Sequence, residues 1–410
     1  MNNSFLPFEW ILALRFMREA RMQTLLIMAG VALGVSVIVF ISALISGLQS
    51  NLFRRTLDFQ AQIIILPSKQ VSRALHQPSE GEMLATIVQP RAQRLQSVDQ
   101  WQKVLKYVAN LDGVSTVSPV ISGAGLIVRG EASNAVSLTG IEPESYLKLI
   151  ALNSKIISGT ANLTSTDILV GLDLARDLGV WTGDKLNLQT ASGGEALLTI
   201  RGVFDFGNSG LNSRAVYVAL RTAQNLLDLA GGVTSIEVNL DKPFSAKIVA
   251  QTIQSQTGLK VDSWITTNSQ FFSALEAQSM SNTIIRFFVG LTAALGIASV
   301  LVVSVVQKSK AIGILRATGT SRQQILRLFL LQGALTGLIG SIIGALVGWL
   351  FLSVWRGIAI NADGTPLFPI VFDPMLFVYA AVGATLVGTL AGLFPALQAA
   401  RLDPAVAIRG

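Results

Sequence analysis

Four runs of the sequence, residues 22–52, 287–306, 328–355 and 374–400, contain no charged side chain. Each is long enough to cross a bilayer, which takes roughly 20 apolar residues in a helix. No other feature constrains the fold as much, because lipid offers no hydrogen-bond partner to a backbone and a helix satisfies its own. Between the first run and the second lies a long block with no membrane-length stretch. The expected fold is an α-helical membrane protein with four transmembrane helices plus a large α+β domain inserted between helices 1 and 2. The expected segments are an interfacial amphipathic helix over 1–24, a first span over 25–48 and the α+β domain, as two subdomains, over 49–280. A second span follows over 281–306, then a loop with a short helix over 307–327 and a third span over 328–356. A connection over 357–374, a fourth span over 375–400 and a tail over 401–410 complete the chain.

An even number of spans puts both termini on one side, and the charges say which. Segments 1–24, 307–327 and 401–410 would share that side, and together they hold ten Lys/Arg against Glu9, Glu19 and Asp403. Block 49–280 holds nineteen of each sign, while the 357–374 connection has Asp363 and Asp373 and no basic residue. The chain's whole excess of +7 therefore lies on one face, as the positive-inside rule requires. Both termini are expected in the cytoplasm and the large domain outside. The basic balance is then a topology signal, and no nucleic-acid partner is needed to explain it. The first apolar run is longer than a signal-peptide core, and "LISGLQSNLFRRTL" after it lacks a small-x-small cleavage site, so an uncleaved anchor is expected.

The external block alternates helical and strand patterns. Val98, Trp101, Val104, Leu105, Val108 and Leu111 have helical spacing, with Gly113 as a stop. "GAGLIVRGEASNAVSLTGIEP" reads as a hairpin. "DILVGLDLARDLGVWTGDKLNLQ" reads as strand, short helix, a turn at Gly183-Asp184, then strand. Residues 68–100, rich in Gln and Ser, read as a looser insertion. Chemistry is sparse. The chain has no cysteine and one histidine, His76, so a disulfide is impossible and a zinc site or histidine-dependent triad is close to excluded. Asp173, Asp177 and Asp184 are spaced like a solvated helix face and a turn, and Trp101, Trp181 and Trp264 suit packing better than ligand stacking. No Gly-Lys dipeptide occurs, so the chain has no P-loop to cradle a nucleotide. No metal site and no enzymatic activity are expected on this chain.

"VVQKSKAIGILRATGTSRQQILRLFLLQG", residues 305–333, carries Lys308, Lys310, Arg316, Arg322 and Arg327 and no acid. Ile312 and Leu315 would form one apolar edge of a short helix that ends at Gly319, a residue free to turn left-handed. Ser321 with Gln324 makes a capping box that starts the next helix. Two readings stand: a positive-inside loop with an interfacial helix, or a helix that docks a cytoplasmic partner.

Within this stretch, "KAIGILRATGTSRQQILRLFLLQG" resembles the signature of the FtsX-like permeases, the MacB, LolC/LolE and FtsX group of ABC transporter membrane subunits. "ILALRFMREARMQTLLIMAGVALGVSVIVF" is similar to the family's opening, and "DILVGLDLARDLGVWTGDKLNL" with "RAVYVALRTAQNLL" to its periplasmic domain. "FPALQAARLDPAVAIRG" is similar to its C-terminal ending. The resemblance implies that the short helix is a coupling helix seated on an ATP-binding subunit, formed here by Lys310, Ala311, Ile312, Gly313, Leu315, Arg316 and Gly319. Ile312, Gly313, Leu315 and Arg316 would make the contact. Two departures stand out: Ala311 and Gln332 replace acids usual in the family, which removes a chance of ion pairing with the partner or a neighbouring helix.

Glycines at four-residue spacing, which let helices pack closely in lipid, mark Gly30 and Gly34 in the first span, Gly340, Gly344 and Gly348 in the third, with Gly333 and Gly337 before them, and Gly388 and Gly392 in the fourth. The resemblance further implies a permease subunit of a MacB/LolCDE-type transporter in the inner membrane. A separate cytoplasmic ABC ATPase dimer, which carries the ATP and Mg, would draw this chain and a second copy or paralogue together. The coupling helix would pass that motion to the periplasmic domain, which extrudes or releases a lipoprotein, lipid, peptide or drug. Membrane lipids surround it, and a periplasmic adaptor or lipoprotein chaperone would be a further partner. The alternative is an FtsX-like, non-transporting regulator that activates a periplasmic cell-wall hydrolase. The long external block argues against it, since the division protein has a much shorter one. A receptor or scaffold is disfavoured because no cytoplasmic segment has room for a signalling domain.

Overall fold

A computed structural model describes residues 8–68, 95–130, 132–358 and 374–403. His76, most of the expected 68–100 insertion, most of the 357–374 connection with Asp363 and Asp373, and the end of the C-terminal motif lie outside the described residues. The chain divides into two compact units, one drawn from Met1–Phe53 with Ala274–Gly410 and one from Arg54–Ser273. In chain order, the elements begin with α1 (Phe8–Glu19), α2 (Arg21–Phe59), β1 (Ile63–Leu66), α3 (Trp101–Ala109), β2 (Val114–Arg129) and β3 (Ala132–Ile141). Next come α4 (Pro143–Leu149), β4 (Ile156–Gly159), β5 (Asp167–Gly171), α5 (Leu172–Asp177), β6 (Lys185–Thr190) and β7 (Glu195–Phe204). Then follow α6 (Ser209–Asn212), β8 (Ala215–Ala219), α7 (Leu220–Leu226), β9 (Ser235–Leu240), α8 (Ala246–Thr257), β10 (Lys260–Ser263) and α9 (Trp264–Thr267). The last are α10 (Ser269–Gln307), α11 (Ser309–Ala317), α12 (Arg322–Ile358) and α13 (Pro374–Ala400).

Four helices, α2, α10, α12 and α13, are long and apolar enough to cross a membrane. Helices α2 and α10 each run to 39 residues, about 58 Å at 1.5 Å per residue, which is nearly twice the roughly 30 Å hydrocarbon core. Hydropathy marks where a helix meets lipid, whereas the helix itself stops where its backbone does, so both extend past their apolar runs. The helical unit packs around Phe16, Val39, Ile312, Ile325, Phe329 and Ala396. In α1, Ala13, Phe16 and Met17 are buried at one-turn spacing while Trp10, Ile11 and Leu14 are exposed.

Glycine sets how closely these helices approach. Gly333 on α12 and Gly388 on α13 face one another: a Cβ on either would lie 2.3 or 2.4 Å from the other's carbonyl oxygen. A Cβ at Gly337 would lie 2.4 Å from the Ala384 carbonyl oxygen and one at Gly392 3.2 Å from that of Phe329. Gly340, Gly344 and Gly348 turn toward α2, meeting Val31, Ala32 and Ser36, and Gly34 meets Val289 of α10. Gly30 is different. It is exposed, and nothing among the described residues lies within 4 Å of where its Cβ would be.

In the other unit the ten strands among the described residues join in one hydrogen-bonded network, ordered β10-β1-β9-β2-β3-β8-β5-β7-β4 with β6 joining β2 and β7. Where the sequence suggests two subdomains, one long strand bridges them: the start of β2 pairs with β9, and its end pairs with β3 and β6. The β3–β8 and β5–β7 pairs are parallel and the others antiparallel. Apolar cores remain separate, one around Ile121, Leu138, Val170 and Leu188, another around Phe204, Phe206, Tyr146 and Tyr217.

Trp264 is buried, Trp101 donates its indole N–H to the Gly231 carbonyl at 2.9 Å, and Trp181 is exposed. Asp184 accepts from the Trp181 amide at 2.9 Å, closing the turn at Gly183. Asp173 lies 3.9 Å from Arg176 on the surface of α5.

Candidate functional site

Helix α11 is cut out of the chain by two backbone devices set almost end to end. Its C-terminus is a Schellman motif. The Thr320 amide donates to the Leu315 carbonyl at 3.0 Å and the Gly319 amide to that of Arg316 at 3.2 Å, with Gly319 at φ +104°. One residue later Ser321 and Gln324 form both halves of a capping box. The Ser321 amide donates to Gln324 Oε1 at 2.8 Å, and the Gln324 amide to Ser321 Oγ at 3.2 Å. A nine-residue helix thus ends and α12 begins with no slack between them.

The helix has two faces. Ile312 and Gly313 are buried, and Ile312 sits in the same core as Phe16, Ile325 and Ala399. Leu315 and Arg316 are half-buried. Lys310, Ala311, Ile314, Ala317, Thr318 and Gly319 are exposed, with Ile314 54% accessible. This divides the residues expected to touch a partner. Ile312 and Gly313 are spent inside the chain, because their positions one helical step apart point into the bundle. The outward apolar side chain is Ile314, which the i, i+3 pattern of Ile312 and Leu315 passes over. A phase check against the buried end of α12 would have found it: Ile325 and Leu328 must cover one side of α11, and Ile314 lies on the other.

The guanidinium of Arg316 also turns inward. It donates to the carbonyl of Leu402 and, at 3.5 Å, to that of Ala400, at the C-terminus of α13. At the other end of α11, Lys308 Nζ donates to the Phe16 carbonyl at 3.1 Å and to Glu19 Oε2 at 3.2 Å, and lies 3.9 Å from the Phe16 ring centroid. Burial lowers the Lys308 pKa, and the Glu19 hydrogen bond only partly offsets this. Hydrogen bonds from Lys308 and then Arg15 hold the Glu19 carboxyl below its ordinary range. Of the two positions that depart from the family's acids, Ala311 is exposed. Gln332 is buried, and its Oε1 has no hydrogen-bond partner within the described residues. A carboxylate there would cost more to bury than this neutral amide.

The sheet unit holds a second perturbed group. Half-buried Glu237 on β9 has its carboxyl pushed up to about 7 by burial. Burial also pushes up the hydroxyls of Tyr146 and Tyr217, with Glu237 adding to the shift in both. Among the described residues no three His, Cys, Asp or Glu side chains gather closely enough to hold a metal ion.

Four apolar helices, a separate sheet unit and a short, sharply bounded helix between the second and third of those helices define a polytopic membrane protein. The family described as MacB-like periplasmic core domain matches residues 24–256, more than half the chain, and the FtsX-like permease C-terminal family matches 283–404. The chain belongs to the FtsX-like permeases that carry a MacB-like core domain. The lipoprotein-releasing system transmembrane protein LolC of Neisseria meningitidis is 23% identical to it over 98% of both chains. LolC of Xylella fastidiosa is 26% identical over 99% of both. The macrolide export ATP-binding/permease protein MacB of Sodalis glossinidius is 25% identical over 97% of this chain and 60% of its own length. Among solved structures, the periplasmic region of MacB from Actinobacillus actinomycetemcomitans aligns with 53% of this chain and 94% of its own, at 15% identity and a TM-score of 0.35.

Proposed function

We propose that the chain is the permease subunit of a LolC-type ABC transporter that works with a separate ATPase. In this reading it lies in the inner membrane with both termini in the cytoplasm and the sheet unit in the periplasm. The ATPase supplies ATP and Mg and seats on the exposed face of α11, around Ile314 with Lys310, Ala311 and Ala317. Closure of the ATPase dimer then moves the spans and the sheet unit to release a substrate of the lipoprotein class, with a second copy or a paralogue completing the membrane part. One observation carries the docking reading: α11 is fixed to the bundle by Ile312 on one side and leaves a compact apolar and basic face on the other. The relatives named LolC, aligned over nearly the full length of both chains, are the ground for the lipoprotein branch.

The test is co-purification from mild detergent of the tagged full chain with its ATPase, assayed for ATP hydrolysis. Ile314→Asp should abolish capture, because a charge buried at an interface is strongly unfavourable. Ala311→Ser, a small exposed change, should retain it. If no ATPase accompanies the unmodified chain, or Ile314→Asp captures as much as the unmodified chain, the docking reading fails.

A further inference from the structure

We infer that Lys308 and Arg316 are positioning residues that clamp the docking helix to α1 and to the end of α13, so that α11 moves only together with both. The inference rests on the docking reading for its purpose, though its geometry stands alone.

Two of the five basic residues in this stretch do not face outward. Each is instead seated at the C-terminus of a neighbouring helix, where the last carbonyls and the helix dipole attract a cation. Lys308 caps α1: its ammonium bonds the Phe16 carbonyl and Glu19 in the last turn and stacks on the Phe16 ring. Its side chain is only 13% exposed, so this contact is far less screened by water than a surface ion pair. Arg316 caps α13 through the Ala400 and Leu402 carbonyls. Between them Ile312 fills the core shared by α1, α12 and α13. The docking helix is therefore held at both ends and in the middle.

The route this gives to motion is not visible in the connectivity. By sequence α11 joins only the second and third spans. Through Lys308 it also grips α1, and α1 runs into α2 with only Ala20 between them. A push on the exposed face of α11 reaches the first span through the Lys308–Phe16–Glu19 contact, and the fourth through Arg316.

The chain has no cysteine, so spin labels can be placed singly. Arg18→Cys on α1 and Thr318→Cys beyond α11 are both exposed and lie outside the docking core. Interlabel distances would be measured by pulsed electron resonance on the full chain in nanodiscs, and ATPase capture and hydrolysis on unlabelled chains with Arg18 and Thr318 intact and the same Lys308 or Glu19 substitutions. The inference expects one narrow distance peak with Lys308 or Lys308→Arg, and loss of that peak with Lys308→Met. Lys308→Met should still capture the ATPase, since the exposed face is untouched, while the permease's effect on hydrolysis is lost. Should Lys308→Met not fold, Glu19→Gln, exposed and outside the core, should broaden the same peak. A peak unchanged by Lys308→Met, or by Glu19→Gln in its place, overturns the clamp. So does loss of capture in Lys308→Met with its peak intact. If the unmodified chain captures no ATPase, the docking reading falls, and the distance peaks still decide the clamp.

Discussion

The helical unit and the sheet unit hold together by opposite means. In the helical unit the closest approaches are backbone to backbone, at Gly333 against Gly388 and Gly344 against Ala32. Lipid is as apolar as a leucine side chain, so large residues gain little by meeting one another there, and close packing of small ones does the work instead. In the sheet unit one core is built on a knot of rings: Phe204 lies 4.8 Å from Phe206 and 5.4 Å from Tyr217 between ring centroids. Water drives that burial, so size is an asset. Adding atoms at the facing glycines should therefore damage the helical unit, and removing ring atoms from the aromatic core should damage the sheet unit.

The largest expected effect tests the second half of that contrast. Phe204 is fully buried, and Phe204→Ala should destabilise the sheet unit by about 3–5 kcal/mol, read as a lowered thermal transition of the purified full chain. A loss below about 1 kcal/mol would mean the ring cluster is loosely packed. Next is Gly333→Val, which puts a Cβ where a carbonyl oxygen already lies 2.3 Å away. Overpacking should cost about 1–3 kcal/mol and appear as a smaller monodisperse fraction on size exclusion in detergent. Gly30→Val, facing open space, should leave that profile unchanged. If Gly30→Val is the more harmful of the two, Gly30 is contacted by something outside this chain.

Legibility in the sequence follows the same division. Charge-free runs and the positive-inside count need only composition along the chain. The Gly319 stop and the Ser321–Gln324 box are local chemistry, so they could be read from a few residues. Helix ends were less legible: α10 begins at Ser269, since hydropathy reports the solvent of a helix and not its backbone. The orientation of α11 was also hidden. Ile312 or Ile314 could face the bundle from spacing alone, and the choice depends on α1, α12 and α13 arriving from elsewhere in the chain. For the same reason Arg316 read as a partner contact, although its acceptors lie more than eighty residues away at Ala400 and Leu402. The single network of strands rests on long-range pairing by β2, which no local pattern shows.

The contrast extends to pH. Glu237 has its carboxyl raised from an ordinary 4.5 to about 7, so the folded sheet unit holds that proton more tightly than the unfolded chain. Stability from this group is present at low pH and is lost as pH rises from about 4.5 through about 7. Glu237→Gln should therefore raise the thermal transition at about pH 8, by about 1–2 kcal/mol after allowing for partial exposure, and change little at about pH 5. An equal gain at both pH values would show that the carboxylate is not the source.

The smallest effect expected on stability bears on α11 and the start of α12. Ser321 Oγ satisfies one free amide at the start of α12, and Gln324 returns the bond to the Ser321 amide. Ser321→Ala removes the first bond and keeps only the half made by the residue-321 amide to Gln324 Oε1, at a cost of about 1 kcal/mol. Such a loss hardly matters to a span of 37 residues. It matters where α12 begins, because only Gly319 and Thr320 separate this cap from Thr318 at the end of α11. The first turn of α12 should fray, and hydrogen exchange at residues 321–325 should speed up by about fivefold, since about 1.4 kcal/mol would be needed for tenfold. Ile312 keeps α11 anchored by its buried face, so exchange at 312–316 should stay slow. If both segments accelerate together, the two helices open as one unit and the cap, more than the buried isoleucine, sets the angle at which α11 is presented.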